Sequence, residues 1–266
     1  MDQIGHARYD RIGIGYDATR KPDTFLLRKM YSFLTADSAN GKFLDVGCGT
    51  GNYTHELNKL GLQFTGIDPS EEMLEKARLK NNSIKWLQGT AENIDIPANF
   101  YDGILVSLTI HHWNDLEAGF KEIGRVLKPR GILVLFTTLP SQNKSYWLNH
   151  YFPIMMEDSM KILPTLKSIE ISLEAGGIDI IEKEPYFIRP DLEDHFLYCG
   201  KHNPELYFDE NIRKGISSFS MIAHQDEINS GLKKLRRDID NGRIKEIMDA
   251  YKNDLGDYLF IVGCKK

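Results

Sequence analysis

The chain has 266 residues, a formal net charge of -5, 41% hydrophobic and 27% charged residues, which suits one large soluble domain or one domain with a sizeable insertion. The acidic balance argues against a nucleic-acid partner. The one basic cluster, Lys233, Lys234, Arg236 and Arg237, is interrupted by Asp238 and Asp240 and reads as a solvated helix face.

The first segment, residues 1–20, carries charges throughout and has no apolar stretch of the signal-peptide kind. Tyr9 and Tyr16 share a face if a helix forms there, although Gly13 and Gly15 argue against a long one. Strands are predicted at "KFLDVG", "QFTGID", "IKWLQG", "YDGILVSLTI" and "GILVLFTT", nearly continuous apolar runs of the sort buried on both faces. Between them lie amphipathic helices. "DPSEEMLEKARLK" has Met73, Leu74 and Ala77 on one stripe, with Glu71 and Glu72 at the positive end of the dipole. In "DLEAGFKEIGRVLKPRG", Leu116, Phe120, Ile123 and Leu127 form the stripe, Asp115 is the expected N-cap, and Pro129 with Gly131 are expected to end the helix. Residues 145–176 read as helical with a break near Pro164, and 177–188 as a sixth strand. Residues 190–250 are helical, aromatic and charged, before a last strand at "DYLFIVGCKK". Strand–helix alternation predicts an α/β, doubly wound, Rossmann-like parallel sheet, with 190–250 inserted between its last two strands.

No apolar run is long enough to span a bilayer; the longest, "ILVLF", covers 132–136. Cys48, Cys199 and Cys264 are widely spaced and form neither a metal-ligand pattern nor a disulfide framework, so no metal, no membrane and a cytoplasmic location are expected.

The informative stretch is "FLDVGCGTGNY", residues 43–53. Glycines at Gly47, Gly49 and Gly51 let the chain turn tightly and let a ligand approach the following helix. A dinucleotide site wants G-x-G-x-x-G, but Asn52 stands at the third glycine position. Asp45 would also repel a pyrophosphate and attract a cation. S-adenosylmethionine carries a sulfonium and an ammonium and no phosphate, and so fits this loop. Asp68, ending the second strand, suits ribose hydroxyls.

Together, "FLDVGCGTGNY", "GIDPSEEMLEKAR", "GTAENI", "YDGILVSLTIHHW" and "RVLKPRGILVLF", in this order, resemble the class I S-adenosylmethionine-dependent methyltransferases, in the branch that includes quinone-biosynthesis and related small-molecule enzymes. The resemblance is specific over roughly residues 40–140. It implies a seven-stranded sheet with the last strand antiparallel. The division expected is an N-terminal helical arm over the cofactor site (1–40), a core (41–189 and 251–266) and a helical cap (190–250). It implies that Asp45, Gly47 and Gly49 line the methionine part of the cofactor, with Ser107 and Leu108 facing it. Asp68 would hold the ribose, with Pro69 beside it, and Met73 would pack near the adenine. Thr90, Ala91 and Glu92 would lie along the adenine edge; an aspartate is common where Thr90 stands, and its hydroxyl or a water would take that bond instead. The first segment lies where this family often closes a helix over the cofactor, which brings in Tyr16 and Arg20, the latter as a partner for the cofactor carboxylate. The other reading is a surface arm whose tyrosines pack on the domain.

Methyl transfer from a sulfonium is an in-line displacement, so alignment carries most of the work and can supply roughly 7–11 kcal/mol. A base is needed only if the acceptor loses a proton. His111 and His112 follow the fourth strand, at the end where such sheets bind ligands, and either could be that base or be structural. No N-P-P-Y-type stretch follows that strand, which argues against DNA-base amines, and Cys48 lies in the loop, out of place to attack a pyrimidine. A small organic methyl acceptor is expected, enclosed by Tyr146, Trp147, Tyr151, Phe196, Tyr198, Tyr207 and Phe208, unless these form the insertion's own core. The alternatives are an RNA or protein methyltransferase, which needs a concentrated basic surface, and a non-catalytic cofactor binder, which usually loses the glycine loop or the ribose acid.

Overall fold

A computed structural model describes residues 16–36, 39–220 and 224–266, the side chain of Tyr16 excepted. The expectations for Tyr9, Gly13, Gly15 and the Tyr16 side chain lie outside the described residues. Seven strands form one sheet: β1 (Lys42–Val46), β2 (Gln63–Asp68), β3 (Lys85–Gln88), β4 (Tyr101–Ser107), β5 (Leu127–Thr137), β6 (Ile178–Tyr186) and β7 (Tyr258–Lys265). Their order is β3-β2-β1-β4-β5-β7-β6. The pairs among β1 to β5 are parallel, and β7 runs antiparallel to both its neighbours, β5 and β6. Strand order reverses between β1 and β4, and the crevice outside the carboxyl ends of strands at such a point is where open α/β sheets bind ligands.

The helices are α1 (Tyr16–Thr19), α2 (Thr24–Leu34), α3 (Asn52–Lys59), α4 (Glu71–Lys80), α5 (Leu116–Val126), α6 (Pro140–Lys144), α7 (Pro153–Lys161), α8 (Leu166–Ala175), α9 (Glu210–Lys214), α10 (Gln225–Asp240) and α11 (Ile244–Ala250). Polar caps set several of their starts: Asp23 accepts from Leu26 N, Ser70 from Met73 N, Asp115 from Ala118 N and Thr165 from Ser168 N. Each such cap stabilises its helix by about 1 kcal/mol. Pro164 separates α7 from α8.

Alternate residues of the strands divide between two cores. Phe43, Leu105, Val134, Phe136, Phe260 and Val262 pack with Leu26, Met30 and Leu34 of α2. Leu44, Ile104, Val106, Leu133, Leu135 and Ile261 pack with Phe120 and Ile123 of α5 and Ile169 and Leu173 of α8. The helix across 116–126 departs from expectation at its end. It stops at Val126, and Pro129 and Gly131 lie within β5, so Leu127 is a strand residue. Lys128 precedes a proline, which disfavours helical backbone there.

Between β6 and β7 the chain forms a three-ten turn (Pro204–Phe208) and α9 to α11. The apolar residues of this stretch join an existing core. Phe196, Tyr207, Ile216 and Leu235 belong to the same buried cluster as Phe136 and Phe260 of the sheet.

Candidate cofactor and acceptor site

The loop after β1 turns back over the end of β2. The N–H groups of Gly47 and Cys48 both donate to the Ile67 carbonyl, at 2.8 and 3.1 Å. Gly47 has φ 74°, and a Cβ there would lie 2.2 Å from Thr109 Oγ1, so both backbone and space require glycine. Gly49 has φ 54°, yet a Cβ would meet nothing within 4 Å. At Gly49 glycine answers to backbone, and the space beside it is open to a ligand. A cavity of about 210 Å³ opens at this point.

Two carboxylates face that cavity from adjacent strand ends. Asp45 is 4% exposed and accepts from Thr54 Oγ1 at 2.5 Å. Burial pushes its carboxyl up to about 7, with Thr54 pulling it down and Asp68 adding a smaller push upward. Asp68 accepts from Gly49 N at 2.8 Å and from Ser70 N at 2.9 Å. Burial raises its carboxyl too, and those two N–H groups oppose the rise. Among the described residues both acids are held by neutral donors. The neighbouring Cys48 thiol is pushed well above its ordinary value by burial and by both acids, which keeps it protonated and unreactive.

Of the expected residues, Arg20, Asp45, Gly47, Gly49, Asp68, Pro69, Met73, Ser107, Leu108, His111 and His112 line this one cavity. Leu108 holds a left-handed backbone, φ 52°, where β4 gives way to the three-ten turn Ile110–His112. A bulky residue there is strained, and such strain gathers at ligand sites. The His111 and His112 rings lie 3.9 Å apart, tilted by 48°. Thr90, Ala91 and Glu92 are absent from the lining. Thr90 bridges to Asn93, Ala91 is buried in the core around α5, and Glu92 Oε1 accepts from the N–H groups of Asn114 and Asp115.

Arg20 has a partner in the chain. Its Nε donates to Asp194 Oδ1 at 2.5 Å, and Tyr53 donates to Asp194 Oδ2 at 3.2 Å. The segment around Arg20 is also tied to the glycine loop. Asn52 Nδ2 donates to the Arg20 carbonyl at 2.6 Å, and Thr50 Oγ1 to Asp17 Oδ1 at 2.6 Å. Lys80 Nζ donates to Asp17 Oδ1 at 2.6 Å, Asn52 Oδ1 at 2.5 Å and the Thr50 carbonyl at 2.9 Å.

The far wall differs from the expected aromatic enclosure. Phe196 lines the cavity, whereas Tyr146, Trp147, Tyr151, Tyr198 and Tyr207 are core residues and Phe208 packs partly buried against that core. Ile162, Leu163, Leu197, Ile216, Ser217 and Ser218 also line the cavity, as do Thr138, Asn143, Ser159 and Tyr258. None carried a local sequence signal, because they come from segments far apart in the chain. Of the basic cluster on α10, Arg236 pairs with Glu205 at 2.7 Å and lies over the Phe208 ring, and Lys234 donates to the His150 carbonyl. Among the described residues no group of three His, Cys, Asp or Glu could hold a metal, and no helix is long and apolar enough to cross a membrane.

A sheet of this order, a glycine turn after β1 and acids at the ends of β1 and β2 define the class I S-adenosylmethionine-dependent methyltransferases, and the chain belongs to that family. The methyltransferase domain family matches residues 44–135. A protein of known structure from Anabaena variabilis, described as a methyltransferase from an antibiotic biosynthesis pathway, is 33% identical, with 92% of this chain and 98% of that one covered and a TM-score of 0.81. The demethylmenaquinone methyltransferase of Staphylococcus epidermidis is 32% identical over 165 residues, 57% of this chain and 68% of that enzyme. That of Desulfitobacterium hafniense is 31% identical over 167 residues, 55% of this chain and 66% of that enzyme. The chain thus spans about two thirds of the length of these curated relatives.

Proposed function

We propose that this methyltransferase binds S-adenosylmethionine between the glycine loop and the ends of β1, β2 and β4, and passes its methyl group to a small organic acceptor held against the far wall. The carrying observation is the pair of buried carboxylates, Asp45 and Asp68, held among the described residues only by neutral donors. A buried charge without a counter-charge is costly, and a cationic ligand offsets that cost. When bound, the cofactor supplies an activated methyl on a positively charged sulfur. Asp45 faces the ligand's cationic end, while Asp68 keeps lone pairs for ribose hydroxyls beyond its two backbone bonds. The N-terminus of α3 is capped by Gly51 without a side-chain bond, so its N–H groups and dipole favour the ligand's carboxylate.

Transfer is an in-line displacement, and the chain's part is to align the acceptor and exclude water. Ile162, Leu163, Phe196 and Ile216 give the acceptor an apolar bed. For an acceptor that must lose a proton, His111 or His112 stands at the cavity wall as the base. In this reading residues 1–40 form the arm over the cofactor and 190–250 the cap over the acceptor; the contributions of Arg20 and of Phe196 and Ile216 to one cavity support it. The relatives named for demethylmenaquinone and for an antibiotic pathway support a small acceptor over RNA or protein. Three free cysteines fit a reducing, cytoplasmic compartment. Titration calorimetry with S-adenosylhomocysteine and NADH tests the donor: a dissociation constant in the micromolar range, roughly -8 kcal/mol, is expected for the first and none for the second. Saturation by NADH alone would refute the reading. Incubation of a metabolite extract with labelled S-adenosylmethionine then reads the transfer itself.

A further inference from the structure

A second cavity, of about 360 Å³, shares no lining residue with the one described above. One side comes from α11 and the residues after it, where Lys245, Met248, Asp249 and Lys252 fall at helical spacing on one face. The other side comes from Trp147, Tyr198, Lys201 and His202, with Asp257 just ahead of β7. Neighbours in the chain divide between the two cavities: Phe196, Leu197 and Tyr258 line the first, and Tyr198 and Asp257 the second.

Asp257 is 3% exposed and uses one oxygen twice. Its Oδ2 accepts from Ile188 N at 2.7 Å and from Lys201 Nζ at 2.6 Å. Its Oδ1 accepts no hydrogen bond among the described residues, yet it is not one of the seven side-chain atoms there that are both unpaired and sealed from solvent. This oxygen is therefore an open acceptor, and the space that Asp257 lines is the second cavity. Lys201 has three donors, one of them on Asp257, and its side chain keeps 24% of its surface. An open acceptor and a cationic donor with protons to spare thus stand side by side.

The charges of the lining do not cancel. Lys201 is matched by Asp257 and Lys252 by Asp249, each at 2.6 Å. His202 Nε2 is bonded to the Ile188 carbonyl at 2.7 Å. Lys245 is exposed and has no partner among the described residues. One positive charge is left over, and the partly buried Met248 and Tyr251 add apolar surface to the same lining.

We propose that this second cavity binds a 2-hydroxycarboxylate with an apolar side chain. The hydroxyl donates to Asp257 Oδ1 and the carboxylate accepts from Lys201, two groups that are neighbours in the ligand as their partners are in the protein. Lys245 supplies a charge that a neutral or zwitterionic ligand would leave unmatched, and Met248 and Tyr251 receive the side chain. The site does not rest on the methyltransferase reading, since the two use different residues.

Titration calorimetry on the protein saturated with S-adenosylhomocysteine tests it. 3-Phenyllactate is expected to bind saturably, with a dissociation constant at or below about 1 mM. It should bind at least about threefold more tightly than 3-phenylpropionate, which lacks the hydroxyl, 3-phenylpropane-1,2-diol, which lacks the charge, and the zwitterion phenylalanine. Lys245→Glu, an exposed change, should weaken 3-phenyllactate at least about threefold while the circular dichroism spectrum and S-adenosylhomocysteine affinity stay as they are. Lys245 lies on no wall of the first cavity, so that loss places 3-phenyllactate in the second. No binding of 3-phenyllactate, equal or tighter binding of any of the three comparison compounds, or an unchanged affinity in folded Lys245→Glu would each overturn the inference. The wild-type comparison decides it even where the variant does not fold. Failure of S-adenosylhomocysteine to bind counts against the methyltransferase reading alone, and the same titrations are then run without it.

Discussion

The two walls of the cavity use different physics. On the side proposed for the cofactor, backbone N–H groups hold Asp68, the Thr54 hydroxyl holds Asp45 and left-handed glycines lie beside both, so charge would do the selecting. On the other side the Ser159 and Ser218 hydroxyls satisfy each other at 2.8 Å, and Ile162, Leu163, Leu197 and Ile216 add aliphatic surface. A buried acid discriminates by sign and by hydrogen-bond geometry, whereas an apolar bed discriminates by shape and only weakly, about 1–3 kcal/mol per methylene. An enzyme built this way keeps one ligand constant and is free to change the other by altering side chains that touch neither the glycine loop nor its acids.

The sharpest way to break that division is Asp68→Ala. It removes the acceptor of Gly49 N and Ser70 N as well as the ribose contacts proposed above. Hydrogen bonds to charged groups contribute about 1.5–3 kcal/mol each, so S-adenosylhomocysteine affinity should fall at least about tenfold. An unchanged dissociation constant in a folded variant would reduce Asp68 to a cap for its own loop.

The next effect is one of pH. Burial lifts Asp45 to about 7, above its value in an unfolded chain, so the folded, ligand-free protein holds this proton more tightly than the unfolded one does. Its contribution to stability is full below about pH 4 and is lost as pH rises through about 7. A bound ammonium, which the cofactor product keeps when the sulfonium is lost, favours the carboxylate, so affinity for that product should move the other way, rising by up to about tenfold per unit below pH 7 and levelling off above it. Thermal melts with and without S-adenosylhomocysteine between pH 5.5 and 8.5 measure both trends, and Asp45→Asn should flatten them. Affinity that falls across that range would place Asp45 away from the ligand's positive charge.

The smallest effect probes the other wall. Ile162 lines the cavity but is 44% exposed, so Ile162→Ser should leave the melting temperature within a few degrees. Cofactor affinity should stay within about twofold while turnover on the identified acceptor falls several-fold through KM. A matching loss of cofactor affinity would show that the two walls are not independent.

The unequal legibility of the two walls follows from the same geometry. Asp45, Gly47, Gly49, Asp68 and Met73 lie within two strand–loop–helix units, so their spacing along the chain already places them together. Ser107 and Leu108 follow from the neighbouring strand. Asp194, Asn143, Ile162 and Ile216 meet only because β7 and the long connection before it fold back over the sheet, and no local pattern encodes that. Arg20 shows the limit in one residue: sequence supplies a cation in the right segment, but its bond to Asp194 spans 174 residues. The aromatics around Tyr146 and Tyr207 were countable from sequence, while the direction each ring faces was set by core packing. Thr90, Ala91 and Glu92 carry a family pattern, yet here Glu92 is engaged by the turn before α5.

The position of β7 has a consequence for how the chain is made. β6 pairs with β7 and with no other strand of the sheet, and β7 also supplies the outer partner of β5. During synthesis, strands β1 to β5 can assemble as soon as they emerge, since their pairings need nothing later in the chain. β6 has to wait for residues 258–265 while about 70 intervening residues are added, roughly 4–14 s at ordinary elongation rates. Through that interval β5 and β6 both present open edges, the state in which strands pair with the wrong chain. The nascent protein is therefore most exposed to aggregation after its cofactor half has formed, and chaperone capture of ribosome-bound chains should peak between the emergence of β6 and that of β7.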